Sequence, residues 1–312
     1  MADQDPAPDV TDSDAGTALV GALRAIGERL DALEPAALAD EPDAVHQLRT
    51  YVRRLRSVLG AYGPLFDASV AEGIRRRYRE FGRELGTVRD IEVRVQVAER
   101  ALEEAREDPR ASSTPAALGA ARARLVDAEV EAHRLALARF AERQGMPRAS
   151  ARRLMLAEFL EAPPLTPLAV DPADEVLGDL LAREARRAVA RAERIGPSVG
   201  ADELHVVRKA GRRLRYAADA VTIVPVELFG GRARALAVAG ERLHDVLGDH
   251  RDEVLFAEHV RRAAAHAAHQ GDPVELLELL AEAADRRAST HVHGLAGVRR
   301  ELRRAAERWA SR

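Results

Sequence analysis

Residues 45–56 read VHQLRTYVRRLR, and residues 204–215 read LHVVRKAGRRLR. An offset of 205 − 46 = 159 aligns His46 with His205, Arg49 with Arg208 and Arg53 with Arg212. The same offset aligns Arg54 with Arg213, Leu55 with Leu214 and Arg56 with Arg215. Downstream, LGTVRD at 85–90 is echoed by LGDHRD at 247–252, pairing Gly86 with Gly248, Arg89 with Arg251 and Asp90 with Asp252. H-x-x-R, then R-R-L-R, then L-G-x-x-R-D occurs in this order in both halves, the mark of an internal duplication.

On an α-helix turning about 100° per residue, with His46 at the origin, Arg49, Arg53 and Arg56 fall at about 300°, 340° and 280°. Arg54 sits apart at about 80°, and Val45, Leu48, Tyr51, Val52, Leu55 and Leu59 share a sector centred near about 200°. The second copy repeats these phases, with Lys209 joining its basic side. Each helix therefore buries one face and carries beside it a ridge of one histidine and several arginines. Such a ridge costs stability, because like charges at i+3 and i+4 repel. No Asp or Glu lies between Val45 and Arg56 or between His205 and Tyr216, so the compensation comes from outside the helix. Retention of the same cations in both copies favours an anionic ligand over a solvated face.

The surrounding composition sets the fold class. Hydrophobic residues make up 46% of the 312 but aromatics only 4%, and Ala, Leu, Arg and Glu are strong helix formers. This predicts an all-α protein. No cysteine is present, which excludes disulfides, thiol catalysis and cysteine-ligated zinc. No apolar run approaches the roughly 20 residues of a membrane span, and the acidic start lacks a signal-peptide pattern, so a cytoplasmic location is expected. The net charge of −3 hides an asymmetry. Residues 1–44 hold eleven acids against Arg24 and Arg29, or 2 − 11 = −9, leaving −3 + 9 = +6 for the rest. Lys209 is the only lysine, and the planar donor fork of arginine matches phosphate oxygens.

Along the chain, residues 1–15 read as a disordered acidic tail. Helices are expected at 15–33, 44–62, 67–106, 116–143 and 148–161, with a loop at 107–115. Asp43 is the expected N-cap of the second helix, and Gly63-Pro64 its stop. The proline-rich run 163–172 reads as a linker between a first helical bundle at 16–162 and a second at 173–312. Within the second bundle, helices are expected at 173–195, 201–224, 232–247, 249–270 and 274–284. A last one is expected from 290 to the end, broken near Gly294 or Gly297.

The motifs AVHQLRTYVRRLR and ELHVVRKAGRRLRYA, each followed by L-G-x-x-R-D, resemble the conserved-histidine α-helical domain (CHAD) family, from about residue 16 to 310. The resemblance implies two pseudo-symmetric four-helix-bundle-like halves facing each other across a basic cleft. It further implies binding of inorganic polyphosphate and, for some members, association with polyphosphate granules. Carried onto this chain, the expected contacts are His46, Arg49, Arg53, Arg54 and Arg56 from the first half. The second half contributes His205, Arg208, Lys209, Arg212, Arg213, Arg215 and Tyr216. Two features depart from many relatives: no E-x-E-x-K strand of a triphosphate-tunnel domain is found, and Arg212 stands where lysine is common.

Weaker signals extend the set. Arg76 and Arg83, from the run Arg75 to Arg83, are candidate groove residues, as are Arg187 and Arg191 on a basic helical flank. Arg89 and Arg251, each followed by an Asp, suit a mainly structural pairing or cap, with Arg89 also a candidate anion contact. His291 and His293, with His266 and His269 upstream, lack a matched carboxylate pattern, so no metal site is expected from them. No phosphate-binding loop, H-E-x-x-H helix or nucleophile elbow appears, so the expectation is a binding protein without cofactor or catalysis. Nucleic acid is the alternative polyanion, disfavoured because the ridges have few aromatics for stacking. A granule-associated scaffold is a third reading.

Overall fold

The computed structural model describes residues 13–107, 114–196 and 200–311. Of the tail expected at 1–15, residues 1–12 lie outside the described residues, as does most of the loop expected at 107–115. Asp14 is ordered: its carboxylate accepts the Thr17 N–H at 2.7 Å and so caps the first helix.

The described residues form eleven α-helices. They are α1 (Ala15–Leu38), α2 (Ala44–Ala61), α3 (Ala68–Glu107), α4 (Pro115–Arg122), α5 (Ala128–Gln144) and α6 (Pro147–Glu161). After the proline-rich segment come α7 (Ala173–Glu193), α8 (Ala201–Asp219), α9 (Gly231–His269), α10 (Glu275–His293) and α11 (Leu295–Ala310). The all-α expectation holds. One π-helical turn, Ala123–Asp127, joins α4 to α5.

Two expectations change. Asp43 occupies the N-cap position of α2 but makes no side-chain cap bond; its backbone is left-handed, and its carboxylate accepts from Gln47 instead. The two helices expected at 232–247 and 249–270 are a single helix, α9, running unbroken through Gly248. A lone glycine costs about 1 kcal/mol in a helix, too little to break one that is packed on both sides. α3 likewise passes through Gly86, so α3 and α9 are each about 60 Å long.

These two long helices organise the packing. A main core draws on α1, α2, α7, α8, α11 and the N-terminal halves of α3 and α9, through residues such as Leu23, Leu55, Ile74, Leu181, Leu214 and Leu243. It is continuous across the proline-rich segment. A second core, built on Val97, Leu125, Phe256, Val260 and Leu280, joins the C-terminal halves of α3 and α9 to α4 and α10. Segment 163–172 is stitched down: the Thr166 hydroxyl donates to Pro64 O, Asp67 N donates to Pro164 O, and Ala15 N donates to Asp171 O.

α8 and α9 cross closely at Gly211 and Gly240. A Cβ on Gly211 would lie 2.8 Å from the Gly240 carbonyl, so neither position has room for a side chain. α2 packs on α8 at the centre of the molecule, where the Tyr62 hydroxyl donates to Ala217 O. The contact sets the two basic ridges side by side.

Candidate anion-binding cleft

A cleft of about 470 Å³ opens where α2, α3, α8 and α9 meet. Its walls include His46, Arg49 and Arg53 from α2, Arg89 and Asp90 from α3, Arg208 from α8, and His244, Asp252 and Arg251 from α9.

The repeated motifs make the same local contact twice. The Arg49 guanidinium lies over Gly86, with Nη2 3.6 Å from where a Cβ would stand, and the Arg208 guanidinium lies over Gly248, at 3.2 Å. Each glycine leaves the hollow its arginine fills. Arg49 Nη1 pairs with Asp90 at 3.2 Å, and Asp252 is the acid whose charge most favours protonated Arg208. The L-G-x-x-R-D segments are therefore mid-helix seats for the ridge arginines, and their aspartates cap no helix.

Other cations of the cleft have no such partner. Among the described residues, neither Arg53 nor Arg212 makes an ion pair; Arg53 donates only to its neighbour Thr50. The Nε atoms of Arg53, Arg208 and Arg212, and Nδ1 of His244, are buried without a hydrogen-bond partner. Burial first, then Arg53 and Arg208, pushes the Arg212 pKa down to about 9. Burial, then Arg79 and Arg75, pushes Arg56 down to about 10. His244 falls to about 2, through burial and then Arg208, Arg212 and Arg53, so it is neutral at any ordinary pH. Burial and then Arg89 lower the pKa of His46; burial and then Lys209 lower that of His205. These are the signs of concentrated, uncompensated positive charge.

The structure sorts the expected residues. His46, Arg49, Arg53, Arg89 and Arg208 line the cleft. Arg212 lies against Arg53 and Arg208, and Lys209 and His205 continue the α8 ridge within the field of Arg251. Arg56 continues the α2 ridge, where Arg83 adds to the positive field. Arg76 is exposed on α3.

The remaining six point elsewhere. Arg54 pairs with Asp219 at 3.1 Å and lies over the Tyr51 and Tyr216 rings. Arg213 bonds Glu184 at 2.6 Å and the Gly60 carbonyl, bracing α8 against α2 and α7. Arg215 pairs with Glu241, and Tyr216 is core. Arg187 pairs with Glu184, while Arg191 borders a separate hollow with Ile195 and Val206. Arg54 and Arg213 follow their cleft-facing neighbours by one position, and that turn of about 100° carries them to the helix–helix contact.

His244, Arg251, Arg94 and Arg262 line the cleft without having been expected there. Arg251 was marked by the L-G-x-x-R-D echo. His244 stands one turn before Gly248 and two before Arg251, a face that exists only if α9 is unbroken.

Residues 21–261 match the family described as CHAD domain. A protein of Mycobacterium tuberculosis, described only as uncharacterized, is 29% identical over 259 residues, covering 80% of this chain and 46% of its own length. The chain thus spans about half the length of the curated relatives it matches. Among solved structures, PptA from Streptomyces chartreusis superposes with a TM-score of 0.68 at 23% identity, over 96% of this chain and 100% of PptA. The CHAD domain from the plant Ricinus communis superposes at 0.69 with 21% identity, over 96% of this chain and 95% of that domain. The duplicated helices, the cleft between them and the matched span agree: the chain belongs to the CHAD domain family.

Proposed function

We propose that this protein binds inorganic polyphosphate in the cleft between α2 and α8, and that binding serves to place it at polyphosphate-rich bodies in the cytoplasm. The observation that carries the reading is the group formed by Arg53, Arg208, Arg212 and His244. Three buried guanidinium Nε–H groups there, of Arg53, Arg208 and Arg212, lack acceptors, and two of those guanidiniums lack any acid among the described residues. A buried unsatisfied donor costs about 1–3 kcal/mol, more when charged. A chain of phosphates supplies both the acceptors and the negative charge.

Polyphosphate has no bases, so its binder needs rigid cations and no stacking platform. The only aromatic wall residue of the cleft is Phe256, itself 1% exposed, which disfavours single-stranded nucleic acid. The groups of the cleft point to retention of an anion rather than to its cleavage, and we read the protein as a binding module without catalysis or cofactor.

The test is a titration of long-chain polyphosphate against wild type and a His46→Ala/Arg53→Ala/Arg212→Ala variant, at low and moderate salt. The expected result is tight binding that weakens steeply with salt through counterion release and is lost in a variant that keeps its circular dichroism. Duplex DNA in excess should not displace the ligand. Absence of binding by wild type, or displacement by DNA, overturns the proposal.

A further inference from the structure

We infer that Asp40, Glu92 and His133 form a three-ligand site for a zinc-like divalent ion beside the cleft, an inference that stands whether or not the cleft takes polyphosphate. The three residues come from the α1–α2 turn, α3 and α5, 93 positions from first to last (133 − 40), and only the tertiary fold brings them together. Their ligand atoms lie within 4.8 Å of one another, the one such group among the described residues.

The geometry is close to that of a bound ion. His133 Nε2 is 3.2 Å from Glu92 Oε1 and 3.9 Å from Asp40 Oδ1. Ligands sharing an ion at about 2.0–2.2 Å stand roughly 3.0–3.5 Å apart. The histidine–glutamate pair, which is hydrogen-bonded, stands at that spacing, so an ion would replace the shared proton, and the half-exposed Asp40 side chain has freedom to close the remainder. Glu92 is held from behind: its other oxygen, Oε2, accepts from Arg89 Nη1 at 2.8 Å, leaving Oε1 turned to His133. An outer partner that orients a ligating carboxylate in this way is a regular part of metal sites. His133 and Glu92 are mostly buried, while the Asp40 side opens to solvent.

The donor set selects the ion. One imidazole nitrogen with two carboxylates suits zinc, cobalt or nickel better than magnesium or calcium, which favour all-oxygen shells. Two carboxylates, one divalent ion and Arg89 sum to −2 + 2 + 1 = +1, so the open positions on the solvent side would accept water or an anionic oxygen. Arg89 also lines the cleft and acts on His46. Ion binding at Glu92 therefore weakens the hold of Glu92 on Arg89 and leaves that guanidinium freer for an anion.

The experiment uses the full chain, stripped with chelator and free of polyphosphate. Zn²⁺ is titrated calorimetrically near pH 7.5, and Co²⁺ is followed by its visible absorption. The expected result is one equivalent, weakened at least about tenfold in both His133→Ala and the surface variant Asp40→Asn, and unchanged in His291→Ala/His293→Ala. Circular dichroism checks each fold, and Asp40→Asn carries the test should His133→Ala fail to fold. Binding that survives in Asp40→Asn and His133→Ala, that is lost with His291 and His293, or that is absent at millimolar ion overturns the inference.

Discussion

Replacing Arg212 with methionine should move stability and binding in opposite directions. Burial and two neighbouring arginines bring the Arg212 pKa from 12.5 to about 9, a displacement corresponding to ~5 kcal/mol. At pH 7 the group is protonated both folded and unfolded, so the folded state carries that cost in full; only as pH rises through about 9 is it relieved. That figure is an upper bound: the side chain keeps partial solvent contact, and a buried donor left without a partner costs about 1–3 kcal/mol, so about 2 kcal/mol is taken. Methionine retains most of the stem and removes the charge. At the lower end of the usual ~2–4 °C per kcal/mol, the ligand-free melting temperature should rise by about 4 °C. Polyphosphate should meanwhile lose a charge-assisted contact of ~1.5–3 kcal/mol, or about 10- to 100-fold in affinity. Scanning calorimetry without ligand and titration at about 0.1 M salt read the two quantities separately. A variant that melts lower than wild type while binding equally well would refute the reasoning, because Arg212 would then be a structural residue.

Two further outcomes follow from the same geometry. His46, His205 and His244 all have folded pKa values below the ordinary histidine value, so the folded state binds fewer protons than the unfolded chain. Ligand-free stability should therefore fall as pH drops below about 6.5. An anion in the cleft raises the pKa values of His46 and His205, so affinity should increase from pH 8 to 6, with proton uptake visible as a buffer-dependent heat of binding; a flat profile would remove these two histidines from the ligand's surroundings. Gly211→Ala should destabilise by at least ~2 kcal/mol in urea melts, because its methyl would meet the Gly240 carbonyl of a packed helix, which has no side chain to yield.

Much of the molecule is legible in one dimension. Helical periodicity, helix-forming composition and Gly63-Pro64 place α2 within a residue at each end and start α1 and α8 correctly, though the ends of α1 and α8 lie five residues from where the pattern put them, and the 159-residue offset marks which helices matter. Wheel phases separate Arg49, Arg53 and Arg56 from the apolar face, because a helix converts spacing into direction without reference to anything else. Arg49, Arg53 and Arg208 line the cleft, Arg212 lies against Arg53 and Arg208, and Arg56 continues the α2 ridge.

What a neighbouring helix supplies is not written in the spacing. Arg53 and Arg54 are adjacent and chemically identical, yet only Arg54 meets an acid, since Asp219 lies 165 positions away. Arg215 and Arg56 occupy equivalent places in the repeat, but Glu241 faces one and Arg79 the other. Gly248 illustrates the limit most directly. Local propensity reads it as a helix stop, whereas packing against the Arg208 guanidinium makes it a seat in an unbroken α9. Reading a stop there also hides the face shared by His244, Gly248 and Arg251. The sequence by itself determined the helical class and the direction of each ridge, because those depend on neighbours within a turn. The tertiary structure alone decided which charges are compensated, because compensation depends on residues that only the packed fold brings within reach.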